Sequence, residues 1–247
     1  MCSSGPGLDE GGLSMNEDVE EILSRVKKDG RRVLLEPEAE KVCAHYGIPV
    51  AESYVTTSGE EASRKAKDLG FPVVMKIVSP HISHKTEARG VLVGIQDQDE
   101  SKTGFETIVA NARRFRPDGT IIGVLVQRMI PAGVEVMVGG LRDPIFGPTL
   151  LFGMGGIFTE ILKDAVFNLA PLEEPDGYYM VRSVKAYPLL SGYRNMPKAD
   201  EKAIVDILLK ASRIICDRSE IEQMDLNPII VSDKGAIAVD VRIVLHS

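Results

Sequence analysis

The chain has 247 residues, of which 44% are hydrophobic and 26% are charged, a composition typical of a globular protein. The formal net charge of −7 argues against a general nucleic-acid-binding surface, and no apolar run reaches the roughly 20 residues of a membrane-spanning helix. Three cysteines without metal-ligand spacing favour a reducing, cytoplasmic compartment. A start rich in glycine, serine and acidic residues predicts a flexible tail over residues 1–18.

Hydrophobic periodicity and capping residues predict helices over residues 16–28, 35–49, 58–70, 100–115 and 198–215. The last helix has the strongest pattern, with one apolar face made of Ile204, Ile207, Leu208, Ala211 and Ile215. Apolar and β-branched runs predict strands over 52–56, on both sides of a loop near 79–90, over 120–130, and in hairpins after residue 133.

This mixture of helices and hairpins lacks a regular alternation of strand and helix, and it therefore predicts an α+β fold. The break from Met129 to Gly133 is the expected hinge between two lobes. A hairpin turn is expected at Arg142-Asp143-Pro144, and two closing strands are expected around the turn Asp233-Lys234-Gly235.

A lysine, Lys76, lies in the β-branched run before a short loop that contains His81 and His84. A lysine ammonium binds phosphoryl oxygens as a point charge, and the N–H groups of a loop can add to such a site. A histidine here could act as a nitrogen nucleophile, although loop histidines are more often solvated or structural. Local chemistry does not distinguish the two histidines, but the stretch favours nucleotide chemistry.

The closing hairpin offers a candidate metal site. Asn227 ends one strand and Asp240 lies on its partner, so a tight turn would bring the two side chains together. An amide oxygen and a carboxylate suit Mg²⁺, which keeps several waters and shares phosphate oxygens. Glu222 and Asp225 are nearby candidates for supporting the ligands. The alternative is that this stretch is only a turn at the end of a strand.

Two further stretches could contact a nucleotide. Backbone groups near Gln127 and Met129 could bind an adenine edge, and Glu135 could accept hydrogen bonds from ribose hydroxyls, although an ordinary crossover between lobes explains the same pattern. The glycines at 153, 155 and 156 permit close backbone approach but do not form a P-loop, because no Gly-Lys-Ser/Thr follows. They could equally serve tight turns between strands.

Several motifs in order resemble the ATP-grasp beta subunit of ADP-forming acetyl-CoA synthetases, which are related to the beta subunit of succinyl-CoA synthetase. The resemblance covers about residues 19–245, and its motifs are LLEPEAEKVCAHYGIPV, GFPVVMKIVSPHISHKTEARGV, FGPTLLFGMGGIFTEILKD, MDLNPIIV and AIAVDVRI. It implies an ATP-grasp fold with nucleotide between two lobes. The smaller lobe would span 50–130, and the larger would combine 19–49 with 131–247.

The resemblance also implies roles for individual residues. His84, which precedes the pair Lys85-Thr86, matches the phosphorylated histidine, whereas His81 matches no functional position. The implied nucleotide contacts are Lys76 on the phosphates, Gln127, Met129 and Ile130 around adenine, and Glu135 on ribose, with Asn227 and Asp240 as Mg²⁺ ligands. The chain departs from the family at Glu87 and Arg89, where Asp and Gly are common, and at Asn195, which replaces a common glycine.

The implied reaction is acyl-CoA + ADP + phosphate ⇌ acid + CoA + ATP. An alpha subunit would bind CoA and form the acyl phosphate, and the phosphoryl group would pass through its histidine to His84 and then to Mg-ADP, in an α2β2 heterotetramer. The chain shows no dinucleotide-type Gly-rich turn of its own for CoA. Two alternatives remain, namely an ATP-grasp carboxylate ligase without phosphohistidine and a non-catalytic nucleotide-binding module.

Overall fold

The computed structural model describes residues 18–155, 164–192 and 197–246, which fall into two compact units. The first unit contains residues 18–22 and Ser53–Gln127, and the second contains Leu23–Glu52 and the described residues from Arg128 onward. The mixed helices and antiparallel sheets confirm the α+β prediction. Within the described ranges, every helix is too short or too polar to span a bilayer.

The described helices are α1 (Val19–Lys28), α2 (Glu36–His45), α3 (Gly59–Leu69), α4 (Gln98–Phe115), α5 (Glu174–Ser183), α6 (Tyr187–Leu190) and α7 (Glu201–Asp217). The described strands are β1 (Ser53–Thr56), β2 (Val73–Val78), β3 (Val91–Ile95), β4 (Gly123–Arg128), β5 (Val134–Asp143), β6 (Gly147–Met154), β7 (Ala165–Leu169), β8 (Ile221–Ser232), β9 (Gly235–Ala238) and β10 (Val241–Leu245). Side-chain caps begin three helices: Ser58 accepts from the Glu61 N–H, Asp97 from Glu100, and Asp200 from Ala203.

The first unit is built on a four-stranded sheet in the order β1-β4-β2-β3, with α3 and α4 packed against it. Its core combines Met75 and Ile77 from β2 with Ile108 from α4 and Val124 from β4. Because alternate residues of a strand point to opposite faces, this packing directs the side chain between Met75 and Ile77 away from the helices.

The second unit is built on a six-stranded antiparallel sheet in the order β10-β8-β5-β6-β7, with β9 also paired to β8. Helix α7 packs on β5, β6 and β8. The five residues of its predicted apolar face are all buried, as expected. Alternate residues of β5, β6 and β7 point away from this core and leave the opposite face of the sheet partly open.

Two sequence expectations need correction, and three elements were not predicted. The closing segment forms three strands, β8, β9 and β10, rather than two. The chain that faces β8 leaves strand geometry at 239–240, where Pro228 has no N–H for the ladder. Strand β5 runs through Asp143, so the turn lies at 144–146, where the Asp143 carboxylate accepts from the N–H groups of Ile145 and Phe146. The elements that were not predicted are β7, α5 and α6.

Candidate active site

Lys76 lies on β2, opposite Val91 of β3, and only 7% of it is exposed. Its strand neighbours Met75 and Ile77 enter the helix-covered core, so its own side chain emerges on the other face of the sheet. Because α4 covers one face of β2, the strand fixes the position from which the Lys76 side chain extends. That is a suitable arrangement for a point charge that must meet phosphoryl oxygens.

The loop between β2 and β3 presents His84 to solvent. The residues Ile82 and Ala88, on either side of it, are each 3% exposed and belong to the hydrophobic core of the first unit. The imidazole of His84 makes no hydrogen bond to the part of the chain that the structure describes, and its backbone oxygen accepts from Ala88 over 3.2 Å. A well-anchored loop therefore carries an accessible imidazole, as a phosphoryl acceptor requires.

His81 differs from His84 in its contacts. Its Nδ1 accepts a hydrogen bond from the backbone N–H of Thr120 over 3.0 Å, so this ring nitrogen is already engaged.

Arg89 takes φ of +50°, a left-handed conformation that glycine adopts with less strain, at a position where the resemblance expects glycine. The Arg89 carbonyl accepts from the Asn111 side chain over 3.0 Å.

The expected adenine-binding residues lie around the end of β4. Gln127 is 2% exposed and pairs with Ser53 of β1 in the first unit. Met129 and Ile130 belong to the second unit, in the segment that joins β4 to β5, and Met129 is exposed. A non-strand segment of this kind leaves backbone groups available for a ligand.

Glu135 is an exposed residue of β5, opposite Ile230 of β8. Gly155 lies directly behind it: the Gly155 N–H donates to the Glu135 carbonyl over 2.7 Å. A β-carbon at position 155 would lie 2.9 Å from the Glu135 Cβ. The lack of a side chain at Gly155 therefore makes room for Glu135. The third glycine, Gly156, lies outside the described residues, as does Asn195.

The candidate metal ligands Asn227 and Asp240 are adjacent. The Asn227 N–H donates to the Asp240 carbonyl over 3.1 Å, and the Val239 N–H donates to the Pro228 carbonyl over 3.0 Å. These two bonds lie between the β8–β9 pairing and the β8–β10 pairing, so β9 and β10 both pair with the single long strand β8. The hairpin thus places the backbones of Asn227 and Asp240 side by side.

Asp225 adds a second carboxylate on the same strand. Its Oδ1 is buried and has no hydrogen-bond partner among the described residues. Burial raises the pKa of Asp225, the negative charge of Asp240 raises it further, and Arg242 on the paired strand lowers it. A buried, unpartnered oxygen beside a second acidic residue fits a nearby cation. Asp225 and Asn227 are two residues apart on one strand, so their side chains point to the same face. This spacing is the feature of the sequence that indicates a site shared by the two residues.

Glu222 does not support this site, since its carboxylate forms a salt bridge with Arg32 at 2.5 Å. Among the described residues, no group of three or more His, Cys, Asp or Glu side chains could enclose a metal ion. The three oxygen-bearing side chains of Asp225, Asn227 and Asp240 are too few to enclose a metal ion by themselves. They fit Mg²⁺, which keeps several waters and also binds phosphate oxygens.

Comparison with known proteins decides the family. The ATP-grasp domain model matches residues 25–245. The beta subunit of ADP-forming acetate–CoA ligase I from Pyrococcus furiosus is 45% identical over 225 residues, which cover 91% of this chain and 97% of that subunit. The chain belongs to the ATP-grasp beta subunits of ADP-forming acetate–CoA ligases. This membership confirms the resemblance seen in the sequence motifs and makes the chain part of an acid–CoA ligase.

Structures of a related enzyme support this membership of the acetate–CoA ligase family. Acetyl-coenzyme A synthetase 1 of Ca. Korarchaeum cryptofilum, solved with coenzyme A and Ca-AMPCP, is 44% identical, with a TM-score of 0.90 over 93% of this chain and 100% of that chain. In a complex of that protein with Mg-AMPPCP, with 42% identity, a TM-score of 0.83 and the same coverage, the phosphohistidine segment points towards the nucleotide site. In another, with 44% identity, a TM-score of 0.86 and again the same coverage, the phosphorylated segment has the site I orientation.

Some members of this family are much longer. ADP-forming acetate–CoA ligase I of Archaeoglobus fulgidus is 42% identical over 229 residues, which cover 93% of this chain but only 33% of that protein. The same ATP-grasp part is therefore a separate subunit in Pyrococcus and a third of a single chain in Archaeoglobus.

Proposed function

We propose that this chain is the nucleotide-binding half of an ADP-forming acyl-CoA synthetase and that it passes a phosphoryl group through His84 to ADP. The single observation that carries this proposal is His84 itself, an exposed imidazole on an anchored loop that directly follows the strand of Lys76. Such a group can form a phosphohistidine, which divides one difficult transfer into two easier ones.

In the proposed relay, a ring nitrogen of His84 attacks the phosphoryl group carried by a histidine of the partner. A new N–P bond forms as the partner's N–P bond breaks. A terminal phosphate oxygen of ADP then attacks the same phosphorus, which forms ATP and releases the His84 imidazole. Positioning and electrostatic stabilisation supply most of the rate in transfers of this type. The segment orientations seen in the Korarchaeum protein support a mobile phosphohistidine in this family.

The nucleotide contacts follow from the site residues. Lys76 would bind phosphoryl oxygens, while Gln127, Met129 and Ile130 would surround adenine and Glu135 would accept from the ribose hydroxyls. Asn227 and Asp240 would hold Mg²⁺, with Asp225 close by. The metal would neutralise part of the phosphate charge that develops during transfer. The Mg-AMPPCP complex of the Korarchaeum protein supports a magnesium nucleotide as the ligand.

The missing half of the reaction requires a partner. We propose an alpha subunit that binds CoA and forms the acyl phosphate, in an α2β2 assembly. The fused Archaeoglobus relative supports this, since the ATP-grasp part there is joined to a further two-thirds of the protein. A hydrodynamic mass measurement of the co-purified complex tests the stoichiometry.

An exposed apolar face on the second unit also supports a partner. Leu141, Ile145, Phe146, Phe167 and Leu169 are between 46% and 83% exposed on β5, β7 and the turn at 144–146. A cavity of about 590 Å³ opens among four of these residues and extends to Met137 and Asp225. Monomeric proteins seldom expose apolar side chains in such a cluster. Because the cavity reaches Asp225, a partner docked here would lie beside the candidate metal site.

The decisive experiment is phosphorylation of the purified chain by Mg-ATP, mapped by mass spectrometry under conditions that preserve phosphohistidine. Phosphate is expected on His84, is removed by added ADP, and is absent from His84→Asn. The matched control is His45→Asn, which alters another exposed histidine and should leave labelling unchanged. A complex that makes ATP from acyl-CoA while His84 stays unmodified would exclude the relay and indicate direct transfer.

A further inference from the structure

The loop that carries His84 is fixed at both ends. At its C-terminal end, the Ile77 N–H donates to the Gly90 carbonyl over 2.7 Å, and the Asn111 side chain donates to Arg89 over 3.0 Å. Ile82 and Ala88 are buried in the core, whereas the residues between them are exposed or half-buried. Only a short arc around His84 therefore stands clear of the unit.

The N-terminal end of the loop is held by three hydrogen bonds, here called the stem clamp. The Ser79 hydroxyl donates to the Thr120 carbonyl over 2.6 Å, and the Thr120 N–H donates to His81 Nδ1 over 3.0 Å. The His81 backbone N–H donates to the Ser79 Oγ over 3.2 Å, which closes the ring. The clamp joins the loop to a segment 39 residues further along the chain, just before β4.

We infer that His81 is a positioning residue for the phosphoryl transfer at His84, acting through the stem clamp. Only two residues, Ile82 and Ser83, separate His81 from His84, so a change in the direction of the stem alters where the His84 imidazole points. Transfer chemistry depends steeply on such geometry. The inference rests on the proposed function, because it assigns His81 a role in the same relay.

The chemistry of the bond explains why a histidine suits this position. To accept from Thr120, Nδ1 must be unprotonated, which places any ring proton of the neutral form on Nε2. A side chain at position 81 that has no acceptor leaves the Thr120 N–H without its protein partner. The Ser79 hydroxyl is then the main hydrogen-bond link between the loop and the segment before β4. His81 is exposed, so its replacement removes the bond without opening a cavity in the core.

Two variants of nearly equal size separate the acceptor from the side-chain bulk. His81→Asn keeps an acceptor, because the asparagine oxygen lies as many bonds from Cα as Nδ1 does. His81→Leu places a methyl group there instead. Both are compared with wild type in single-turnover phosphorylation by Mg-ATP, as the full chain with and without its alpha subunit. Hydrogen exchange at the Thr120 amide reports whether the clamp is formed.

We expect His81→Leu to lower the maximal rate of His84 phosphorylation about tenfold, the effect of one hydrogen bond, while the concentration of Mg-ATP at half-maximal rate stays unchanged. The Thr120 amide should exchange faster in His81→Leu only, and His81→Asn should keep a rate within about twofold of wild type. A wild-type rate in His81→Leu despite a faster-exchanging Thr120, or a slow rate in His81→Asn with a protected Thr120, would overturn the inference. Failure of wild type to label His84 at all would instead remove the proposed function, and this inference with it.

Discussion

The backbone N–H of Asn227 donates to the carbonyl oxygen of Asp240 over 3.1 Å, so the two expected Mg²⁺ ligands stand side by side in one hairpin. In the proposed metal site, removal of either side chain takes away a direct ligand of Mg²⁺. We therefore expect Asn227→Ala and Asp240→Ala each to weaken Mg²⁺ binding in the presence of nucleotide by at least about tenfold. Titration with Mn²⁺, followed by electron paramagnetic resonance, measures this affinity.

The control for the metal site is Asp233→Asn, which removes a carboxylate from the turn between β8 and β9 in the same hairpin. Its metal affinity should match wild type. Equal losses in Asp233→Asn and Asp240→Ala would indicate a diffuse electrostatic effect rather than ligation, and would count against this site.

The contact of Gly155 with Glu135 leads to a second prediction. An added methyl group in Gly155→Ala would lie 2.9 Å from the Glu135 Cβ and 3.0 Å from its carbonyl carbon, so β5 must shift. Overpacking of this kind costs about 1–3 kcal/mol. We expect a raised Kd for ATP through displacement of Glu135, together with a lower free energy of unfolding, measured by calorimetric titration and urea denaturation.

Gly139→Ala is the matched control for Gly155→Ala, because it lies on β5 itself and a β-carbon there would meet Leu151 at an ordinary 3.6 Å. Its ATP affinity should remain that of wild type. If Gly155→Ala binds ATP as tightly as Gly139→Ala does, then Glu135 does not contribute to nucleotide binding in the way proposed.

Local patterns predicted much of this fold because they record which face of an element is buried. The apolar face of α7 was visible at helical spacing, and Asn227 could be paired with Asp240 because a tight hairpin fixes the register. Helix α5 was missed because its sequence, EPDGYYMVRS, contains proline, glycine and two tyrosines, which are weak helix formers. Its glycine, Gly177, allows close packing on Val205 of α7, a tertiary contact that local propensity does not report.

The distinction between His81 and His84 shows the same limit at the candidate site. Both are loop histidines near Lys76, and their local sequences give them equal claims. What separates them is the backbone N–H of Thr120, which lies 39 residues beyond His81 and donates to His81 Nδ1. Family resemblance selected His84, whereas composition and spacing could not, because a long-range hydrogen bond leaves no local periodic signal.

The exposed apolar face predicts a third outcome. Phe167 is 64% exposed and lines the cavity beside Leu169, so a charge placed there should block a partner without harming the fold. We expect Phe167→Asp to raise the Kd for the alpha subunit roughly tenfold or more, since buried aromatic residues commonly dominate interface energy. Biolayer interferometry with immobilised alpha subunit measures this.

Tyr179→Asp provides the comparison for Phe167→Asp. Tyr179 is 63% exposed on α5 and does not line the cavity, so the same charge there should leave association unchanged. Unaltered binding of Phe167→Asp would mean that the partner docks elsewhere on the chain.

Glu38 predicts how stability depends on pH. The side chain of this α2 residue is 2% exposed and accepts from both Arg25 and Arg31, at 3.1 and 2.8 Å, and from the Leu35 N–H at 2.8 Å. Burial acts to raise the pKa of Glu38, but these hydrogen bonds and the adjacent positive charge lower it below the ordinary value of 4.5. The ionised form is therefore favoured in the folded state.

A lowered pKa means that the folded state holds the proton of Glu38 less tightly than the unfolded chain does. Its stabilisation is complete above pH 4.5 and is lost as the pH falls through the lower folded-state value. At pH 7 we expect Glu38→Gln to lower the free energy of unfolding by about 3 kcal/mol, as for a broken buried ion pair, and this difference should shrink in acid. Urea denaturation from pH 7 to pH 3 measures it. As a control, Asp206→Asn, which breaks the exposed pair with Lys210, should lower the free energy of unfolding by less than about 1 kcal/mol. A loss of unfolding free energy in Glu38→Gln that stays constant with pH would contradict this account.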